Sequence, residues 1–174
     1  MIMRWMMAAV VLLLVSGTAL AMEGARSVEA ALSFGTEAFD GLGGEWGATL
    51  AGGAKLRSDL QARAELSYYR ASTAKGDVDL TATRVPIDLD LRYLVPLERI
   101  DPELSAFGEG GIEVSFDHWH PAPDASRSET RFGGIVGAGL HYALPQNYSA
   151  FIRLDYRVIE DSYLTAGIGL GYSF

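Results

Sequence analysis

Stretch after stretch of this chain changes polarity at every second residue, and each stretch runs for ten residues or so. The clearest is Val85-Pro86-Ile87-Asp88-Leu89-Asp90-Leu91-Arg92-Tyr93. Its odd positions are all apolar, and its even positions carry Pro86, Asp88, Asp90 and Arg92. On a helix those apolar side chains would scatter around the circumference, whereas on a strand they form one face. Tyr148–Val158 repeats the pattern, with Tyr148, Ala150, Ile152, Leu154, Tyr156 and Val158 opposed to Ser149, Phe151, Arg153, Asp155 and Arg157. The same alternation marks Val28–Ala38, Glu45–Leu56, Leu60–Tyr69, Leu104–Phe116, Arg131–Leu144 and Tyr163–Phe174. Strands of soluble proteins usually hold about five or six residues, while a tilted strand crossing a bilayer needs about 9–11. The pattern therefore predicts an all-β, eight-stranded antiparallel up-and-down barrel that crosses a membrane.

Charge placement sharpens that expectation. Arg63, Glu65, Asp88, Asp90, Arg92, Glu109, Glu113, Arg131, Arg153, Asp155 and Arg157 all fall on the polar face, as do Glu29, Glu37, Glu45, Lys55 and Arg84. The opposite face carries essentially no charge. An Arg at the bilayer midplane costs about 2–4 kcal/mol. A one-residue slip of Tyr148–Val158 would turn Arg153 and Arg157 toward lipid, a penalty of roughly 4–8 kcal/mol. In a barrel of eight strands the interior is just wide enough for side chains to fill it. The charged residues are thus expected to neutralise one another in a filled lumen, and to specify register more than they stabilise the fold.

Two further features separate this reading from a soluble sandwich or lipocalin-like barrel. Much of the polar face is glycine, including Gly133, Gly137, Gly139, Gly167, Gly169 and Gly171, which suits a crowded lumen and weakens an exposed strand. Threading the strands up and down also sorts the aromatics by height. Trp46, Tyr68, Phe116 and Phe132 fall near one rim, and Tyr93, Tyr142, Tyr148, Tyr172 and Phe174 near the other, as in the two girdles of a membrane barrel. Arg57-Ser58-Asp59 and Pro145-Gln146-Asn147 read as tight turns, and the polar stretches Arg70–Asp79 and Asp117–Glu129 as long outer loops. Pro86 lacks a ladder donor, so it is expected at the start of its strand or at a bulge near the rim.

The N-terminus reads as an export signal. Arg4 precedes the apolar run Met6–Val15, and Ala19-Leu20-Ala21 supplies a small-x-small cleavage site. Residues 1–21 are therefore expected to be removed, leaving 22–174 as one barrel domain. The chain has no cysteine, so disulfides and thiolate metal sites are excluded. Its formal net charge of -8 does not suit a nucleic-acid partner.

On these residues the chain resembles the small outer-membrane β-barrel proteins of Gram-negative bacteria, the OmpA/OmpX-like and opacity-protein-like group. The sharpest likeness is Gly167-Ile168-Gly169-Leu170-Gly171-Tyr172-Ser173-Phe174, with Val85–Tyr93 and Gly137–Tyr142 as further similar strand texts. The resemblance implies an outer-membrane location among lipid and lipopolysaccharide. It implies that Tyr172 and Phe174 form the signal read by the barrel assembly machinery, after transit with periplasmic chaperones. The cell-wall tethering of longer relatives is not expected.

The residues point only faintly to chemistry. Some barrels of this size trim or transfer acyl chains on lipopolysaccharide, and His141 and Ser149 flank the Pro145–Asn147 turn on the lumen face. That turn is at the periplasmic end, away from lipopolysaccharide, so no catalytic residue is assigned. His118 and His120 project to one side of an extended Asp117-His118-Trp119-His120 and, with Asp117 or Asp124, form a set of metal-ligand types. An exposed loop with two solvated histidines is the simpler reading, and no cofactor is expected. The expectation is a non-enzymatic barrel serving envelope integrity or surface interaction, with a narrow solute pore second and a lipid A acyl hydrolase or acyltransferase third. The surface ligand is not legible.

Overall fold

The structure, a computed structural model, describes residues 26–36, 44–75, 78–122, 125–160 and 162–174. The export signal and Glu37 lie outside them. Eight strands run in chain order: β1 (Arg26–Gly35), β2 (Glu45–Lys55), β3 (Leu60–Lys75), β4 (Val78–Pro96), β5 (Leu104–Ala122), β6 (Ala125–Ala143), β7 (Tyr148–Val158) and β8 (Tyr163–Ser173). Each pairs antiparallel with the next, and β8 returns to β1, closing the barrel. The closed antiparallel barrel read from the alternation is the observed fold.

The inversion of polarity is plain in the burial. Leu32, Trp46 and Phe132 are 67%, 69% and 75% exposed, while Arg92, Glu113 and Arg157 are at most 1% exposed. Water would not tolerate so continuous an apolar exterior, and lipid requires it. No helix among the described residues is long and apolar enough to cross a membrane; the crossing is made by strands. Phe34 and Trp46 meet edge to face at 4.9 Å near one rim. Tyr148 and Tyr172 lie 5.1 Å apart at the other, with Phe174 stacked beyond.

Three sequence expectations are corrected. Arg70–Asp79 and Asp117–Glu129 are not loops but the upper parts of two hairpins. Arg70 pairs with Thr83 and Lys75 with Val78, and Asp117 pairs with Glu129. The outward residues Arg70, Ser72 and Ser128 are exposed and polar, while Ala71 and Asp117 on the inward face are buried, so these segments lose the apolar outer face while keeping the ladder. Pro86 is neither at a strand start nor at a bulge. It sits well inside β4, fully buried, opposite Ser115. Pairing with β3 is broken between Leu66–Ile87 and Tyr69–Arg84 and resumes in the same register, because proline withholds one ladder donor without displacing the strand.

The connections match their lengths. Pro145–Asn147 form one 3-10 turn, with Gln146 and Asn147 at positive φ. The longer Leu97–Glu103 link is a self-bonded turn: Leu97 N donates to Leu104 O at 2.9 Å, and Asp101 Oδ1 accepts from Glu103 N at 2.8 Å.

Candidate functional site

The lumen is built from the inward residue of every second position, which is why it collects the charges. At the turn end Phe107 and Phe151 pack with Ala31. Gly139 and Gly169 make room for them, since a Cβ at either would fall 2.4 Å from a phenyl ring carbon. Arg92 lies over Phe107 with its Cζ 4.1 Å from the ring centre. It donates from Nε to Glu109 at 2.8 Å and from Nη1 to Glu29 at 3.0 Å.

Above this plate one set of ion pairs runs from Arg63 through Arg153 to Arg157, and a second group lies toward the hairpin end. Arg63 donates to Glu29 at 2.9 Å, Glu109 at 2.9 Å, Asp90 at 3.2 Å and Glu65 at 3.2 Å. Arg153 grips both oxygens of Glu65 and lies 3.3 Å from Asp155. Arg157 donates to Glu113 at 2.7 Å and Asp88 at 3.0 Å. Toward the hairpin end Arg84 donates to Asp117 at 3.1 Å, and Arg131 bridges Asp117 and Glu129. There Ala82, Ile159 and Tyr163 form a second apolar cluster, with Trp119 against it.

The eleven charged residues singled out in the sequence thus all face the lumen, and all but Arg131 are buried. Sequence reasoning placed Asp117 in a loop, yet it is 2% exposed and belongs to the network. Its parity with Glu109, Glu113 and Ser115 is the signal that would have found it. The network also takes in Glu29, Glu45 and Arg84, with Glu45 3.6 Å from Arg84.

The same alternation undoes the metal constellation. Asp117 points inward and its neighbour His118 outward, where His118 Nδ1 lies 2.7 Å from Ser128 Oγ. Asp124 and the His120 side chain lie outside the described residues. No group of three metal-ligating side chains occurs among the described residues. His141 and Ser149 both line a cavity of about 300 Å³ at the turn-end mouth, beside Arg92, Lys55 and Gln61. His141 pairs with Phe151 and Ser149 with Ala143, and no hydrogen bond joins the two. Tyr172 stands opposite both Val28 and Tyr148, and Phe174 exchanges backbone bonds with Arg26 at 2.9 and 3.0 Å.

The second distinctive feature is outside the lumen. β4, β5 and β6 each span 19 residues and β3 spans 16, against 10 or 11 for β1, β2, β7 and β8. Among the described residues the pairing of β2 with β3 ends at Trp46–Arg70, and that of β6 with β7 ends at Gly134–Val158. Beyond those pairs β3–β6 continue as a four-stranded sheet past the aromatic rim.

No curated protein sequence matches the chain. Solved structures share the fold. Ail, the attachment invasion locus protein of Yersinia pestis, has a TM-score of 0.60 at 19% identity over 88% of this chain and 100% of its own. Neisserial surface protein A has a TM-score of 0.64 at 17% identity over 87% of this chain and 100% of its own. The N-terminal barrel domain of Pseudomonas aeruginosa OprF has a TM-score of 0.57 at 21% identity over 87% of this chain and 98% of its own. The family model of the outer membrane protein beta-barrel domain matches residues 7–174, and the chain belongs to that family, an integral barrel of the outer membrane.

Proposed function

We propose that this barrel is a closed, non-enzymatic anchor whose task is surface attachment, carried out by the sheet that β3–β6 raise above the membrane. The observation that carries this is the strand-length asymmetry. Among the described residues four neighbouring strands extend beyond the rim and the other four span only 10 or 11 residues, and a barrel that only sealed or stiffened the envelope has no use for a one-sided extension. Loops and projections on a rigid scaffold are where binding residues concentrate. The names of two structural relatives, an attachment locus protein and a surface protein, agree with this reading.

The narrow-pore reading is set aside on the lumen. Arg63, Arg92, Arg153 and Arg157 reach into the interior and are held there by carboxylates from several walls. An ion would have to break these contacts to pass.

Attachment is tested with a chain whose β5–β6 hairpin is cut back by joining Asp117 to Glu129 through a short turn. Cells displaying it should bind host or abiotic surfaces less than cells displaying the full chain. Heat-modifiability should be kept, and both chains should be silent in planar bilayers. Equal attachment by the two chains would overturn the proposal, and stepwise conductance of the full chain would return the pore to first place.

A further inference from the structure

All eight strands send a side chain to the cavity at the turn-end mouth, which opens on the periplasmic side. Its volume of about 300 Å³ is at the low end of ligand sites, roughly 300–1,000 Å³, and admits one ring rather than a chain. Leu94, which packs on the Phe107–Phe151 cluster, also lines the cavity, so the cavity stops at the aromatic plate. At this depth lies a donor that the protein does not use. Arg92 is 1% exposed, gives Nε to Glu109 and Nη1 to Glu29, and its Nη2 has no acceptor among the described residues. A buried donor left unpaired costs free energy, so an acceptor arriving through the mouth is favoured there.

The wall selects by hydrogen bonding rather than by charge. Ser27, Ser58, Ser105, Ser149 and Ser173 line it, together with Gln61 and His141. Ser105 stands opposite His141 in the β5–β6 register, and Gln61 Nε2 donates to Ser27 Oγ at 2.6 Å. Hydroxyl, amide and neutral imidazole groups both donate and accept, as do the hydroxyls of a sugar. The charges on the wall cancel. Both oxygens of Glu29 are taken, by Arg63 and Arg92, and Asp59 lies 3.8 Å from Arg57. That leaves Lys55 and Glu103, one of each sign, so neither a free anion nor a free cation is favoured. Leu94, Pro96, Pro102 and Ala143 supply apolar surface suited to the C–H face of a sugar ring.

We propose that this cavity binds one uncharged saccharide ring from the periplasmic side, with Arg92 Nη2 donating at its floor and the serines, Gln61 and His141 bonding the ring hydroxyls. The ring belongs to a free sugar or to the end of a glycan chain, since both present the same hydroxyls. The site lies at the opposite end of the barrel from the raised sheet, so it does not depend on the attachment reading.

The test uses the full barrel in nanodiscs with isotope-labelled histidine. The chain has three histidines. His141 lines the cavity, while His118 and His120 lie at the far end of β5 and serve as internal controls. Glucose at about millimolar concentration and above should shift the His141 ring signal saturably and leave the other two in place, with His141→Gln assigning the signal. Tighter binding of chitotriose than of glucose assigns the glycan end, and equal or weaker binding assigns a free sugar. Raising salt from about 50 to 500 mM should change the glucose affinity by no more than about twofold, because no net charge is paired. Ser105→Val removes one hydroxyl and should weaken glucose about threefold or more. Ala143→Phe sets a ring in the mouth and should abolish the shift, both variants being checked for folding by gel mobility. No saturable His141 shift with either sugar in the native barrel would overturn the proposal. Tighter binding of inorganic phosphate or of alanine than of glucose would also overturn it, since the cavity would then read charge. Equal movement of all three histidine signals would do the same.

Discussion

Arg153 on β7 and Glu65 on β3 stand four strands apart in a ring of eight, on opposite walls, and meet across the axis of the barrel. Arg153 Nη2 donates to Glu65 Oε1 at 2.8 Å and Nη1 bonds the other oxygen. Glu65 also accepts from Arg63 and approaches Arg157 at 3.5 Å. One carboxylate thus ties three guanidinium groups from two walls to the middle of the lumen.

Removing that carboxylate is expected to cost more than removing any one of its partners. A Glu65→Leu barrel leaves Arg63, Arg153 and Arg157 each short of an acceptor in a water-poor interior. Breaking a buried pair typically costs about 3–5 kcal/mol. Urea unfolding in lipid vesicles, followed by tryptophan fluorescence, should show a loss in or above that range. Adding Arg153→Met to Glu65→Leu should recover part of it, since the worst uncompensated charge is then gone. A double variant less stable than the single would show that Arg153 finds other partners, Asp155 first among them.

Pro86 gives a prediction of the opposite sign. Leu94 N donates to Asp59 O, so even residues of β4 and odd residues of β3 face each other, and the missing proline donor falls opposite the Ser67 carbonyl. In the membrane no water replaces it. Pro86→Val keeps a similar volume in the lumen and restores the donor. It should stabilise the barrel by about 1 kcal/mol, the usual net value of a hydrogen bond. Amide exchange at residue 86 should be slow in the variant, as for its ladder neighbours. Rapid exchange there would mean that the β3–β4 seam is open for a reason other than the missing N–H.

How much of this was readable beforehand follows from where the water is. Inside the bilayer the two faces of a strand meet opposite environments, so Asp88, Asp90 and Arg92 announce their direction against Ile87, Leu89 and Leu91. Above the rim the outward face meets water instead of lipid, so Arg70 and Ser72 are polar while the inward Ala71 is small and buried; the contrast vanishes, and Arg70–Asp79 reads as loop although Arg70–Thr83 and Lys75–Val78 are ladder pairs. Asp117 was lost at that boundary. Phe107 and Phe151 were hidden differently. They sit on the lumen face as an apolar plate beneath the ion pairs, and period two assigns a face without saying what a closed interior stacks there. The pairing of individual arginines with acids on distant walls depends on the barrel's closure, which no local pattern contains.

The aromatic plate makes a packing prediction. A Cβ at Gly139 would lie 2.4 Å from Phe107 Cζ and 2.1 Å from the Ile152 carbonyl oxygen, which is backbone and does not yield. Gly139→Val should therefore cost at least the roughly 1–3 kcal/mol of an overpacked core, visible as a lower urea midpoint. Adding Phe107→Leu relieves only the ring contact, so it should rescue the variant in part. Full rescue would place the whole conflict on the ring and none on the strand backbone.

The last prediction separates a signal from a strut. Phe174 is 61% exposed, and its backbone closes the barrel through two bonds to Arg26, while its ring stacks on Tyr172 at 6.3 Å. Phe174→Ala keeps both backbone bonds and removes only the ring from the lipid-facing rim. If Tyr172 and Phe174 are read by the assembly machinery, this variant should reach the outer membrane of cells several-fold less well than the native chain. The purified variant should refold in detergent with a urea midpoint shifted by no more than the stacking is worth, about 1 kcal/mol. Equal losses in both measurements would make the ring a structural element, holding β8 against β1. Normal delivery in cells would remove Phe174 from the signal altogether and leave Tyr172 to be tested in its place.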